Sequence, residues 1–124
     1  MQPLTIPATR CSPLVEFDPA GGRLRIEGES YPENSFEFFA PVFAALAEAL
    51  EAGTGPVTLE LSLSYLNTSS IKCMIDILDM LEAAHKSGRP VAVLWHCDRE
   101  NDRALEMAEE FKEDVSLPFS IVAR

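Results

Sequence analysis

The sequence predicts a mixed α/β fold: a two-layer sandwich in which helices cover mainly one face of a mixed sheet of about five strands, in the order ββαβαβαβ. Three observations carry this reading. Apolar runs of period two alternate with longer segments of helical period. Each helical segment is separated from the next strand by Gly or Pro, or by a short turn. In the strand expected over 57–64, Val57, Leu59, Leu61 and Leu63 alternate with Thr58, Glu60, Ser62 and Ser64. One apolar and one polar face suit a sheet whose second side meets water.

No element is assigned before residue 14. Residues 14–17 read as a first strand, Asp18-Pro19-Ala20-Gly21-Gly22 as a turn, and residues 24–27 as the returning strand of an antiparallel hairpin. A loop follows over 28–32. Asn34 or Ser35 then caps a helix running to about Ala52, with Phe36, Phe39, Phe43, Leu46 and Leu50 on its buried face. Pro41 should bend that helix or restrict its first turn, and Gly53 and Gly55 end it. After the 57–64 strand, a loop at 65–68 leads into a helix over 69–87. Gly88 and Pro90 stop it before a strand at 91–96. Asp98 or Asn101 starts an acidic helix to about Asp114, and residues 119–122 form the last strand. Strands joined through helices should be parallel, with right-handed crossovers.

The 124 residues suit a single domain spanning 1–124, and 47% hydrophobic residues can build its core. Twenty acidic against ten basic residues give a net charge of −10, which disfavours nucleic acid and anionic membranes as partners and leaves proteins. No apolar run approaches a membrane span, and Pro3 and Pro7 interrupt the first ten residues in a way no secretory signal shares. Three cysteines, Cys11, Cys73 and Cys97, form neither a disulfide framework nor a zinc motif, so reduced thiols in the cytoplasm are expected. No cofactor is implied.

The informative stretch is Tyr65-Leu66-Asn67-Thr68-Ser69-Ser70-Ile71-Lys72, which joins the carboxyl end of a strand to a helix start. Thr68, Ser69 and Ser70 lie where a helix leaves N–H groups unpaired. Helix capping is the common use of such residues. The same N–H groups and the helix dipole also stabilise an anion, so a phosphate on Thr68 would burden the fold little while changing what docks there. In the following helix, Ile71, Met74, Ile75, Leu78, Leu81 and His85 form a stripe toward the sheet. Cys73, Ile77, Met80 and Ala84 form a second apolar stripe, covered either by a neighbouring helix or by a partner.

An enzyme is disfavoured. His96 and Cys97 fall on opposite faces of a strand, and no helical His pair, CxxC, Gly-rich phosphate loop or GxSxG elbow occurs. Glu109, Glu110, Glu113 and Asp114 read as a solvated helix face.

The Tyr65–Lys72 stretch, followed by Met74-Ile75-Asp76-Ile77-Leu78, resembles a signature of the SiaC family of regulatory phosphoproteins. Ser30-Tyr31-Pro32-Glu33-Asn34-Ser35 resembles a second signature, and Gly88-Arg89-Pro90-Val91, Trp95-His96 and residues 108–114 also match. The resemblance covers nearly the whole chain. It implies a STAS-like fold and a partner-switching circuit: a kinase phosphorylates Thr68 and a PP2C-like phosphatase restores it. The unphosphorylated form binds and activates a diguanylate cyclase, raising cyclic di-GMP and promoting biofilm growth and aggregation. Tyr31, Glu33, Asn34, Tyr65, Leu66, Asn67, Ser69, Ser70, Lys72, Cys73, Ile77 and Met80 are the expected partner-binding residues. Pro32 and Asn34 alternatively set only a turn and a cap. The competing reading is a constitutive protein-binding adaptor of the same fold without a phospho-switch.

Overall fold

In the computed structural model, which describes residues 3–124, the Asp18–Gly22 turn folds β2 (Leu14–Asp18) against β3 (Arg23–Ser30) as an antiparallel hairpin. Gly22 closes the turn at φ 67°, and a Cβ there would stand 2.0 Å from the Pro56 carbonyl oxygen, so only glycine fits. The chain continues through α1 (Ser35–Ala52), β4 (Val57–Leu66), α2 (Thr68–Lys86), β5 (Val91–Cys97), α3 (Asp102–Glu113) and β6 (Phe119–Ala123). The strands of β3, β4, β5 and β6 pair in parallel in that order. Each crossover steps the same way across the sheet, so right-handed connections carry all three helices to one face.

A sixth strand corrects the expected five. Leu4, Thr5 and Ile6 form β1, which pairs antiparallel with Phe17, Glu16 and Val15 of β2. Its apolar signal is only three residues long and lies between Pro3 and Pro7. An edge strand tolerates such flanks because one side of its backbone needs no ladder partner.

The core lies between the sheet and the helices. Val15, Leu24, Ile26, Leu59, Leu61, Val93 and Trp95 face Phe39, Leu46, Met74, Ile77 and Leu81. Trp95 stacks on Phe111 of α3 and Phe119 of β6, at centroid distances of 5.5 and 6.4 Å. The other sheet face carries charged pairs: Arg23–Glu60 at 2.6 Å, Arg25–Glu16 at 2.7 Å and Arg25–Glu27.

The helix faces differ from expectation in rotation. Residues 35, 39, 42, 46 and 49 are the buried seam of α1; Phe36 is exposed, and Phe43 and Leu50 are half-buried. The choice of large side chains drew the expected seam one residue too far round, because Ser35 and Ala49 give little hydrophobic signal. In α2 the seam is Ser70, Cys73, Met74, Ile77, Leu78 and Leu81, while Ile75 is exposed. The second apolar stripe is therefore not a free docking face. Cys73 and Ile77 are fully buried, Met80 and Ala84 pack on the core, and Leu50 of α1 shares a cleft wall with Met80 and Ala84.

Far from the strand ends that follow β3 and β4, two polar clamps fix the helices. Arg89 donates to the carbonyls of Leu50 at 3.0 Å and Gly55 at 2.6 Å, supplying the cation that the last turn of α1 lacks. The Glu82 carboxylate of α2 accepts from the Ser116 and Leu117 N–H groups and the Ser116 hydroxyl at 2.9–3.0 Å.

Candidate functional site

Parallel β3 and β4 end at the same edge of the sheet, so the loops that follow them meet there. Asn67 N–H donates to the Ser30 carbonyl at 2.9 Å, and its side-chain amide lies 3.4 Å from the Pro32 carbonyl. Four hydroxyls close the junction. Ser35 lies 2.7 Å from Ser69 and 3.0 Å from Ser70, and Ser70 lies 2.8 Å from Ser30, oxygen to oxygen. Ser30, Ser35 and Ser70 are buried, so these bonds satisfy one another where water does not reach. The two stretches read separately in the sequence thus form one unit.

Within it, Asn67 caps α2: its side-chain oxygen accepts from the Ser70 N–H at 2.9 Å. Asn34 caps α1 in the same way, accepting from the Glu37 N–H at 3.1 Å. Asn34 therefore does serve as a cap. Thr68 does not: it is the first residue of α2, it is exposed, and its hydroxyl hydrogen-bonds to no group among the described residues. The first turn of α2 also holds no acidic residue.

Tyr65 and Leu66, expected in a loop, belong to β4. The register with β3 shifts between Gly28 and Glu29: Gly28 pairs with Leu63 and Glu29 with Tyr65, so Ser64 is the extra residue of a bulge. The buried alternation Val57, Leu59, Leu61, Leu63 would turn Tyr65 inward; past the bulge Tyr65 faces out and Leu66 turns in. Gly28 sits opposite at φ 120°, a conformation side-chain-bearing residues rarely adopt. The two consecutive apolar residues Tyr65-Leu66, which break the alternation, are the sequence signal for this.

The outward Tyr65 meets Tyr31 edge-to-face, with centroids 6.0 Å apart. Tyr31 is held from behind: its N–H donates to the Cys11 carbonyl at 2.7 Å and its hydroxyl to the Arg10 carbonyl at 2.8 Å. Tyr31 (39% exposed), Tyr65 (51%) and Phe36 (51%) are three of the four large exposed hydrophobic residues among those described; they lie in the loop after β3, at the end of β4 and at the start of α1. Glu33 is exposed beside them, and Lys72, also exposed, donates to Asp76 at 2.9 Å. Sequence reading quoted Ser30 within its motif but gave it no role, placed Phe36 in the core, and gave no role to the Arg10 and Cys11 carbonyls that hold Tyr31. A serine at a strand end and backbone carbonyls in a non-periodic segment carry no pattern of burial.

Of the expected partner-binding residues, Tyr31, Glu33, Asn34, Tyr65 and Lys72 are at the surface, and Asn67 and Ser69 partly so. Leu66, Ser70, Cys73 and Ile77 are buried and support the surface from within, while Met80 is more than three turns along the helix from Thr68 and half-covered. Burial pushes the Cys73 thiol up in pKa. It does the same to Cys97, helped by Asp98 and Glu109, so neither is an activated nucleophile. His96 pairs with Glu60 at 3.1 Å on the open sheet face, away from both thiols' core-packed side. No group of three or more potential metal ligands occurs among the described residues, and no helix there is long and apolar enough to cross a membrane.

The family model for SiaC family regulatory phosphoproteins matches residues 6–124. An uncharacterized protein of Pseudomonas aeruginosa is 53% identical over 123 residues, covering 99% of this chain and 98% of that protein. The crystal structure of apo-SiaC from Pseudomonas aeruginosa superposes with a TM-score of 0.96 at 52% identity, covering 99% of this chain and 100% of that one. A chain of the crystal structure of the diguanylate cyclase SiaD in complex with its activator SiaC, from the same organism, matches at a TM-score of 0.95 and 53% identity, covering 98% of this chain and 99% of that one.

Proposed function

The chain belongs to the SiaC family of regulatory phosphoproteins, and on that premise we propose that it is a phosphorylation-controlled activator of a diguanylate cyclase. Its unphosphorylated form binds the cyclase and raises cyclic di-GMP, favouring biofilm growth and aggregation. A partner kinase phosphorylates Thr68, which ends the interaction, and a PP2C-like phosphatase hydrolyses the phosphate. The chain acts as one regulatory unit in the cytoplasm, with no catalysis of its own and no cofactor.

One observation carries this reading: Asn67 does the capping, so Thr68 presents a free, exposed hydroxyl at the positive pole of α2. Tyr31, Tyr65 and Phe36 supply an apolar surface around it. Aromatic anchors of this kind carry much of the energy of protein interfaces. A phosphate adds about −1.5 to −2 charges at neutral pH. Burying it against an apolar partner face costs more than the contact returns. The net charge of −10 speaks for a protein partner, not nucleic acid or a membrane.

Intact mass with phosphopeptide mapping, on protein isolated from its native cells in two growth states, tests the switch. Phosphate on Thr68 whose occupancy changes with growth state is expected. Well-covered peptide without phosphate in both states would leave a constitutive adaptor.

A further inference from the structure

Thr68, Lys72 and Asp76 stand four residues apart along α2, so their side chains share one face of the helix. In the bare protein Lys72 Nζ donates to Asp76 Oδ1 at 2.9 Å, both residues being in contact with solvent. That pair has the lysine N-terminal to the acid, the poorer of the two orientations at this spacing. A phosphate on Thr68 would be an acid four residues N-terminal to the same lysine, the better orientation. It brings about −1.5 to −2 charges and three acceptor oxygens, against one charge on Asp76. Helical side chains lean back toward the N-terminus, which carries the Lys72 stem toward Thr68.

We propose that Lys72 reads the phosphate: it leaves Asp76 for phospho-Thr68 and so transmits the modification along two turns of α2. This rests on the reading of Thr68 as the phosphoacceptor. The consequence is spatial. Among the described residues Ile75 is the remaining large exposed hydrophobic one, one helical turn past Lys72 and next to Asp76. In the bare protein a neutralised Lys72–Asp76 pair flanks it. In the phosphorylated protein Asp76 is unpaired and adds to Asp79, also exposed, one turn on. A partner lying over Thr68 and Ile75 therefore meets new negative charge at both ends of its footprint. Lys72 thus sets the reach of the switch, while Thr68 sets its state.

The test is a 31P NMR titration of full-length protein carrying phosphothreonine at position 68, installed by synthesis so that no kinase is needed. Four forms are compared at low salt: unsubstituted, Lys72→Met, Asp76→Asn, and both together. Lys72→Met is expected to raise the second phosphate pKa by about 0.2 to 0.4 of a unit, the scale of a helical ion pair. Asp76→Asn is expected to lower it, and to lower it less once Lys72 is gone, because the competition has been removed. Arg10→Gln is the control for the other basic residue at this edge and should leave the value unchanged. An unchanged value in Lys72→Met, equal Asp76→Asn effects in both backgrounds, or a rise seen only in Arg10→Gln overturns the proposal. Absence of native Thr68 phosphate would instead overturn the reading it rests on, and phosphopeptide mapping reads that separately.

Discussion

Asn67 spends its side chain on the α2 cap, and the neighbouring Thr68 hydroxyl has no structural duty. Substitutions should separate the two. Asn67→Ala is expected to cost about 1 kcal/mol in urea unfolding, the usual value of a lost cap. Thr68→Ala should stay within about 0.5 kcal/mol of the parent protein, as exposed substitutions do. Ser35→Ala removes the hydroxyl shared by Ser69 and Ser70 and should cost about 1 kcal/mol. The sequence pointed to this stretch but not to the capping residue within it. Asn67, Thr68, Ser69 and Ser70 are all good or acceptable N-cap types, and only the backbone geometry decides which of them takes the role. Ser30 stands in the second signature, but its burial and its bond to Ser70 were not legible, because a serine at a strand end follows no period.

The elements were legible where apolar spacing was long and regular. The hairpin and the three crossovers follow from it, as do Phe39 and Leu46 in α1 and Met74, Leu78 and Leu81 in α2. What was lost depends on neighbours. Whether the stripe of Cys73, Ile77, Met80 and Ala84 meets solvent is set by α1, and no property of α2 alone reveals it. Ile77→Glu is accordingly expected to unfold the protein, at a cost above about 3 kcal/mol, with its circular dichroism lost along with any binding. The bulge at Ser64 is a second case, since it reverses which residue of Tyr65-Leu66 faces out. Gly28→Ala would strain the facing backbone by about 1 to 3 kcal/mol and should weaken cyclase binding more than its loss of stability explains. Glu82 tests the opposite end. Burial raises its pKa, but hydrogen bonds from Ser116 and Leu117 and the Lys86 charge outweigh this and hold it below the ordinary 4.5. A depressed carboxyl pKa contributes stability above its unfolded value that is lost as pH falls through the folded one. The urea midpoint should therefore drop as the medium is acidified below about pH 4.5, and Glu82→Gln should flatten that drop.

For the whole molecule, a one-sided sheet divides the labour. One face and three helices hold the core, and the other face carries surface ion pairs that contribute little to stability. The ends of β3 and β4, with the helix starts that follow them, gather Tyr31, Phe36, Tyr65 and Thr68 at a single edge. Arg89 and Glu82 clamp chain segments remote from that edge, so a change of charge at Thr68 has a rigid body behind it. On the proposed switch, a phosphate on Thr68 would alter a surface without refolding the chain, because Thr68 is exposed and is not among the core residues. A calorimetric titration of the diguanylate cyclase with bare and Thr68-phosphorylated protein tests this most directly. Tight binding of the bare form and at least about tenfold weaker binding of the phosphorylated form, roughly 1.4 kcal/mol, is the expected result. Equal affinity of the two forms would contradict the switch.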